Sequence, residues 1–70
     1  MTRQFREALK REVRWEATGE PERPYRATVE GARWTLRIND FPAEPLYTLI
    51  ADGAEVGDID DWPEAWTRPR

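Results

Sequence analysis

Residues 45–59 read PLYTLIADGAEVGDI, and this stretch decides the fold class of the chain. From Leu46 to Ala51 the residues are apolar at both alternating positions, broken only by Thr48, which is typical of a strand covered on both faces in the middle of a sheet. Asp52-Gly53 then favours a two-residue turn, because a type I′ turn needs a positive φ at both central residues. The stretch therefore predicts a central antiparallel hairpin.

The register of this hairpin leaves one question open. With a loop of two residues, Leu49 lies opposite Val56, but Tyr47 lies opposite Asp58, so a carboxylate shares a face with buried apolar residues. Either Asp58 lies at the rim of the sheet, or Gly57 marks a β-bulge that turns Asp58 outward. Both explanations place the end of the hairpin at the boundary between core and surface.

Residues 25–38 predict a second hairpin. The sequence YRATVEGARWTLRI alternates apolar and polar residues on either side of Glu30-Gly31. A loop of two residues places Ala27 opposite Trp34 and keeps one face apolar, whereas a loop of three would place Ala27 opposite Arg33. The two-residue loop is therefore the predicted turn.

The N-terminal residues predict a helix followed by a strand. Over Thr2–Lys10, Phe5 and Leu9 are four residues apart and lie on one helix face, while charged residues occupy the other. Over residues 13–17, Val, Trp and Ala alternate with charged residues, which favours a half-buried strand.

The C-terminal residues predict a short helical turn. Asp61 and Glu64 have the spacing of a capping box, with a proline in the first turn. Trp62 and Trp66 are four residues apart, so a helical turn would place both indoles on one side. In that position they are the predicted cover for the second face of the central strand.

These elements together predict one α+β domain over residues 1–70. Its sheet has four to five mainly antiparallel strands, with hairpins that turn at Glu30-Gly31 and Asp52-Gly53. The N-terminal helix is expected on one face of the sheet and the short C-terminal helical turn on the other. A chain of 70 residues lies near the lower limit for independent folding, so its four Trp are expected in the core.

The composition excludes several classes of chemistry. The chain has no Cys and no His, which excludes disulfides and the usual zinc and haem sites. It also has no Ser, so nucleophile systems of the Ser-His-Asp and Cys-His types cannot form. The acidic residues near the C-terminus do not have the spacing of a standard calcium-binding loop. We therefore expect a protein that is not an enzyme and that binds no metal or cofactor.

The hydropathy pattern bears on location. No apolar segment approaches the roughly 18–20 residues that span a membrane. The charged N-terminal residues are not followed by the apolar run of a secretory signal. The sequence therefore predicts a cytoplasmic protein that does not enter the membrane.

Charge is unevenly distributed along the chain. Residues 1–37 hold nine basic and six acidic residues, and residues 38–70 hold two basic and eight acidic residues. An acidic surface steers association with a basic partner, and Trp is frequent among interface hot spots. The sequence therefore predicts protein binding, with homodimerisation through an edge strand as a related expectation. The predicted contact residues are Asp58, Asp60, Asp61, Trp62, Glu64 and Trp66.

An alternative function uses the first half of the chain. The predicted strand pattern places Arg26, Arg33 and Arg37 on the outward face of the first hairpin. An Arg-bearing sheet face is typical of proteins that bind single-stranded nucleic acid, and RNA is the alternative partner. The net charge of −3 opposes this alternative, because nucleic acid is itself polyanionic.

Overall fold

A five-stranded antiparallel sheet forms the centre of the α+β fold in the computed structural model, which describes residues 3–69. The elements are α1 (Arg3–Lys10), β1 (Val13–Arg14), β2 (Glu16–Ala17), β3 (Tyr25–Val29), β4 (Ala32–Ile38), β5 (Tyr47–Ala51), β6 (Ala54–Ile59) and β7 (Trp66–Thr67). The strand order of the sheet is β2-β3-β4-β5-β6, and a separate parallel pair joins β1 to β7. The predicted helix is confirmed from Arg3, while its predicted first residue, Thr2, lies outside the described residues.

Both predicted hairpins are confirmed, with two-residue loops. In the first hairpin Ala27 lies opposite Trp34, as the alternation requires. Glu30 and Asp52, the first loop residues, adopt φ of 50° and 48°. Each is followed by a glycine that also has a positive φ, which is the backbone that a type I′ turn requires.

A β-bulge resolves the register of the second hairpin. The pairing shifts between Leu49 and Ile50, so Leu49 lies opposite Gly57 and Thr48 lies opposite Asp58. The carboxylate of Asp58 is thereby turned away from the core, in agreement with the second of the two explanations. A Cβ atom at Gly57 would lie 2.7 Å from ring carbons of Phe5, so the glycine also lets α1 approach β6 closely.

One face of the sheet, the core face, carries the apolar core. Phe5 and Ala8 of α1 and Trp66 of β7 are buried in the same cluster as the sheet residues Leu36 and Leu49. The helix and the C-terminal segment therefore cover the same face. The prediction that Trp62 and Trp66 cover the opposite face is wrong, because Trp66 reaches the helix itself.

The other face, the open face, buries side chains without a second layer among residues 3–69. Thr48 is 1% exposed and Ile50 is 4% exposed, although Ile50 does not belong to the core cluster. The cross-strand neighbours of Ile50 are Thr35 and Glu55. Side chains with apolar stems can cover an isolated aliphatic residue in this way while their polar ends stay in water.

The predicted C-terminal helical turn is not present. Trp66 N donates a hydrogen bond of 3.0 Å to Pro63 O, which closes a β-turn and not a turn of helix, and the chain continues as strand β7. Trp66 pairs with Val13 and Thr67 with Arg14 in a parallel ladder. A single helical turn leaves most of its backbone groups without partners, whereas the ladder pairs them and buries the Trp66 indole.

The same pairing divides the predicted strand over residues 13–17. Val13–Arg14 pair with β7, and Glu16–Ala17 pair with β3 at the edge of the larger sheet. Trp15 lies between the two and is buried in the core.

The described residues, 3–69, contain no helix with the length and apolar character needed to cross a membrane.

Candidate functional site

Aromatic rings connect the C-terminal segment to the core. Trp15 lies 5.0 Å from Trp66 and 6.3 Å from Trp62 between ring centroids. The Trp66 indole Nε1–H donates a 2.9 Å hydrogen bond to Ala8 O, near the end of α1. The Trp62 Nε1–H donates in turn to Trp66 O, also at 2.9 Å. These contacts fix residues 62–66 beside the helix.

A groove of about 770 Å³ lies between α1 and this C-terminal segment; we call it the acidic groove. It contains all but one of the residues that the sequence predicted for partner binding. Its lining is formed by Phe5, Leu9, Lys10, Asp58, Ile59, Asp60, Asp61, Trp62, Pro63, Glu64 and Ala65.

The carboxylates of the acidic groove are exposed. Asp60, Asp61 and Glu64 have no basic side chain within ion-pair distance in the described part of the chain. Asp58 also lines the groove, but its carboxylate is turned to the open face, where its Oδ1 accepts a 2.8 Å hydrogen bond from the Thr48 hydroxyl. Lys10 is the basic residue in the lining. Unpaired carboxylates beside an apolar surface suit a ligand that is both cationic and apolar.

Trp66 differs from the other predicted contact residues. Its side chain is 3% exposed and lies in the core, while Trp62 is half-buried and lines the groove. Trp62 is therefore the Trp that the groove exposes, and Trp66 positions Trp62 and α1 through hydrogen bonds.

Six groove residues were not predicted as site residues. Three of them, Phe5, Leu9 and Lys10, form the helical wall of the groove. The spacing of Phe5 and Leu9 identified an apolar helix face, but not what that face would contact. The contact joins residues more than fifty positions apart in the chain, and no local pattern specifies such a pairing.

The arginines of the alternative site lie on the open face. Arg37 is engaged within the sheet, since its Nη2 lies 3.3 Å from Glu55 Oε1 and 3.2 Å from Thr48 Oγ1. Arg26 lies 3.8 Å from Glu16. Arg33 has no acidic side chain within ion-pair distance among residues 3–69.

A polar groove of about 590 Å³ on the open face contains Arg26 and Arg33, together with Arg23, which the sequence did not identify. The strands place equal numbers of basic and acidic residues on the open face. The basic residues are Arg26, Arg33 and Arg37, and the strand register places the acidic residues Glu16, Glu55 and Asp58 on the same face.

Within residues 3–69, no group of three or more acidic residues is arranged to hold a metal ion. Comparisons of the chain with protein-family models, with curated proteins and with solved structures give no match.

Proposed function

We propose that the protein is a non-catalytic binding module whose acidic groove takes a basic, amphipathic segment of a protein partner. The observation that carries the proposal is the arrangement of exposed carboxylates around an apolar floor. The floor includes Trp62 and the apolar side chains of the helical wall, Phe5 and Leu9. Asp60 and Glu64 lie at its side. The absence of Ser, Cys and His from the sequence supports a role in binding rather than catalysis.

The two parts of the groove have different roles in this proposal. The apolar floor contributes affinity, since burial of apolar surface contributes about 25 cal/mol per Å² before the entropic costs of association. The carboxylates contribute to association rate and to the choice of partner. A segment with apolar residues on one side and Lys or Arg beside them matches both parts. Binding of an amphipathic segment in an apolar groove is a common mode of peptide recognition.

Photo-crosslinking tests the proposal. A photo-reactive residue placed at Lys10, which is exposed at the groove, is incubated with lysate of the native host, and the crosslinked segment is identified. That segment is then synthesised and titrated against the purified protein. We expect a segment in which apolar residues are flanked by Lys or Arg.

Two triple variants with the same change in net charge provide the comparison. The groove variant carries Asp60→Asn, Asp61→Asn and Glu64→Gln. The matched control carries Glu12→Gln, Glu20→Gln and Glu22→Gln, at exposed positions outside the groove. Loss of three rim charges is expected to weaken peptide binding by about fivefold or more in the groove variant alone. Equal binding by the two variants would contradict the proposal.

One observation supports the alternative function, RNA binding. The Arg33 guanidinium has no ion pair with an acidic side chain among the described residues, and Arg33 lies with Arg23 and Arg26 in the polar groove of the open face. Strand residues placed on this face by the register, such as Thr28, Thr35 and Ile50, are not aromatic, so bases would lack a stacking surface. Titration with a short uridine-rich RNA at low salt tests it: shifts of the amide signals around Arg33 that disappear in Arg33→Gln would support RNA binding.

Homodimerisation remains a separate proposal. The edges of the five-stranded sheet are β2 and β6. Strand β6 carries a β-bulge and two exposed carboxylates, Glu55 and Asp58, features that disfavour pairing with a second copy. Sedimentation across a range of protein concentrations tests homodimerisation: a mass that rises toward that of two chains would support it, and a constant mass of one chain would remove it.

A further inference from the structure

Three aromatic rings meet next to the acidic groove; we call this arrangement the aromatic corner. The ring centroids lie 6.0 Å apart for Tyr25 and Tyr47, 5.3 Å for Tyr25 and Trp62, and 6.3 Å for Tyr47 and Trp62. The angles between the ring planes of these pairs are 75°, 73° and 80°, in the same order. Three nearly perpendicular planes form a corner rather than a stack. The rings are only half-buried, so part of their surface faces solvent.

A small pocket of about 210 Å³ opens at the aromatic corner. Its lining also includes Leu46, Pro69 and the exposed carboxylate of Asp61. Aromatic faces attract cations through the ring quadrupole, and a carboxylate adds a direct charge and hydrogen-bond acceptors. The pocket therefore has the chemistry of a site for an organic cation.

The protein's own Arg68 lines this pocket and contacts one of its rings. The Arg68 guanidinium carbon lies 5.4 Å from the centroid of the Trp62 ring, within the range of a cation–π contact. Arg68 makes no ion pair with an acidic side chain in the part of the chain that the structure describes. It is an exposed side chain held mainly by one ring, and such a contact is easily displaced.

The charge of Arg68 also acts on Tyr47. Burial raises the pKa of the Tyr47 phenol, and the neighbouring Tyr25 raises it further, while the charge of Arg68 acts in the opposite direction. The guanidinium is thus close enough to act on two of the three rings.

We propose that the aromatic corner, with Asp61, binds an arginine side chain of the protein partner, and that Arg68 competes with it in the free protein by contacting the Trp62 ring. This inference rests on the proposed function, because the arginine belongs to the segment bound in the acidic groove. Asp61 and Trp62 line both the groove and the pocket, so one segment can reach both. An incoming guanidinium can contact Trp62 and also form the paired hydrogen bonds with Asp61 that Arg68 does not make.

The test uses a single capped amino acid, so that it does not depend on the identity of the partner. N-acetyl-arginine methylamide is titrated into the wild type and into Arg68→Gln, with the citrulline analogue as a neutral control of the same shape. Binding is followed by the NMR signal of the Trp62 indole N–H. We expect arginine, but not citrulline, to shift this signal. Removal of the competitor should tighten arginine binding by about two- to fivefold.

Variants of the two acidic positions locate the binding. Asp61→Asn in the Arg68→Gln background should weaken arginine binding, whereas Glu64→Gln, which changes the groove but not the pocket, should leave it unchanged. Equal affinity of wild type and Arg68→Gln, or an equal response to citrulline, would overturn the inference.

The two proposals fail separately. The double variant Asp60→Asn, Glu64→Gln changes the groove and leaves the pocket lining intact. Loss of the arginine response, with peptide binding still weakened by this double variant, would remove the inference and keep the proposed function. An arginine response without groove-dependent peptide binding would remove the proposed function and leave the aromatic corner as an arginine site alone.

Discussion

The two faces of the central sheet achieve burial by different means. On the core face, aromatic rings such as Trp15, Trp34 and Trp66 pack against each other and against α1. On the open face, the Thr48 hydroxyl donates to Asp58 at 2.8 Å and accepts from Asn39 at 2.8 Å and from Arg37.

A strand that is apolar at both alternating positions is usually taken to need a covering layer on each side, and β5 does not follow this expectation. In β5 the residues on the open face are covered by the polar side chains of neighbouring strands, and the polar atom among them is fully hydrogen-bonded. A chain of 70 residues can therefore bury both faces of one strand with a single layer of packing.

Truncation of a side chain on the core face should cause the largest loss in the free energy of unfolding. Trp15→Ala is expected to cost about 3–5 kcal/mol in the free energy of unfolding, because it removes the ring that contacts three other Trp. Since small domains have a total stability of only about 5–15 kcal/mol, most cooperative unfolding would be lost. Urea denaturation measures the change.

Two controls accompany this variant. Arg26→Ala, at an exposed position of the open face, should change the unfolding free energy by less than about 0.5 kcal/mol. Trp15→Phe keeps an aromatic ring and removes a buried Nε1–H that has no acceptor among residues 3–69, so it should cost less than Trp15→Ala. Equal losses for Trp15→Ala and Arg26→Ala would erase the difference between the two faces.

On the open face, substitution of Thr48 should lower the free energy of unfolding. Thr48→Val preserves the shape of the side chain and removes the hydroxyl that joins Asn39 and Asp58. Because these partly buried partners lose a hydrogen bond, we expect a cost of about 0.5–1.5 kcal/mol, measured by thermal unfolding. Thr28→Val, at an exposed position of the same face, is the matched control and should be nearly neutral. A neutral result for both would show that the hydrogen-bond network adds nothing to stability.

The smallest effect is expected at Tyr47, on the core face. Burial raises the pKa of this phenol above its usual value of about 10, so the unfolded chain loses the proton at lower pH than the folded protein. The stability contributed by neutral Tyr47 is present below about pH 10 and is lost as the pH rises through the folded-state pKa.

Tyr47→Phe cannot ionise, so its melting temperature should fall less than that of the wild type between about pH 9 and about pH 11. Thermal unfolding at the two pH values measures the difference. An identical fall in both proteins would show that Tyr47 ionisation does not contribute to alkaline unfolding.

Part of the candidate site could be predicted from the sequence. The acidic residues of the groove were identified by the charge distribution, because an uneven distribution of charge along a short chain places like charges near each other. The helical wall and the aromatic corner were not identified. Both combine residues from distant parts of the chain: Leu9 with Trp62 in the groove, and Tyr25 with Tyr47 and Asp61 in the pocket.

The sequence by itself determined the local features: the helix, both hairpins, their turns and the register of the first hairpin. In each of these the interacting residues are close in the chain, so side-chain periodicity and turn chemistry are sufficient. Only the tertiary structure decided that the C-terminal residues form a strand, that this strand pairs in parallel with Val13–Arg14, and that α1 and Trp66 cover the same face. The reason is that Trp66 gains burial and backbone partners from residues more than fifty positions earlier, and these gains outweigh the local preference of Asp61 and Glu64 for a helical turn.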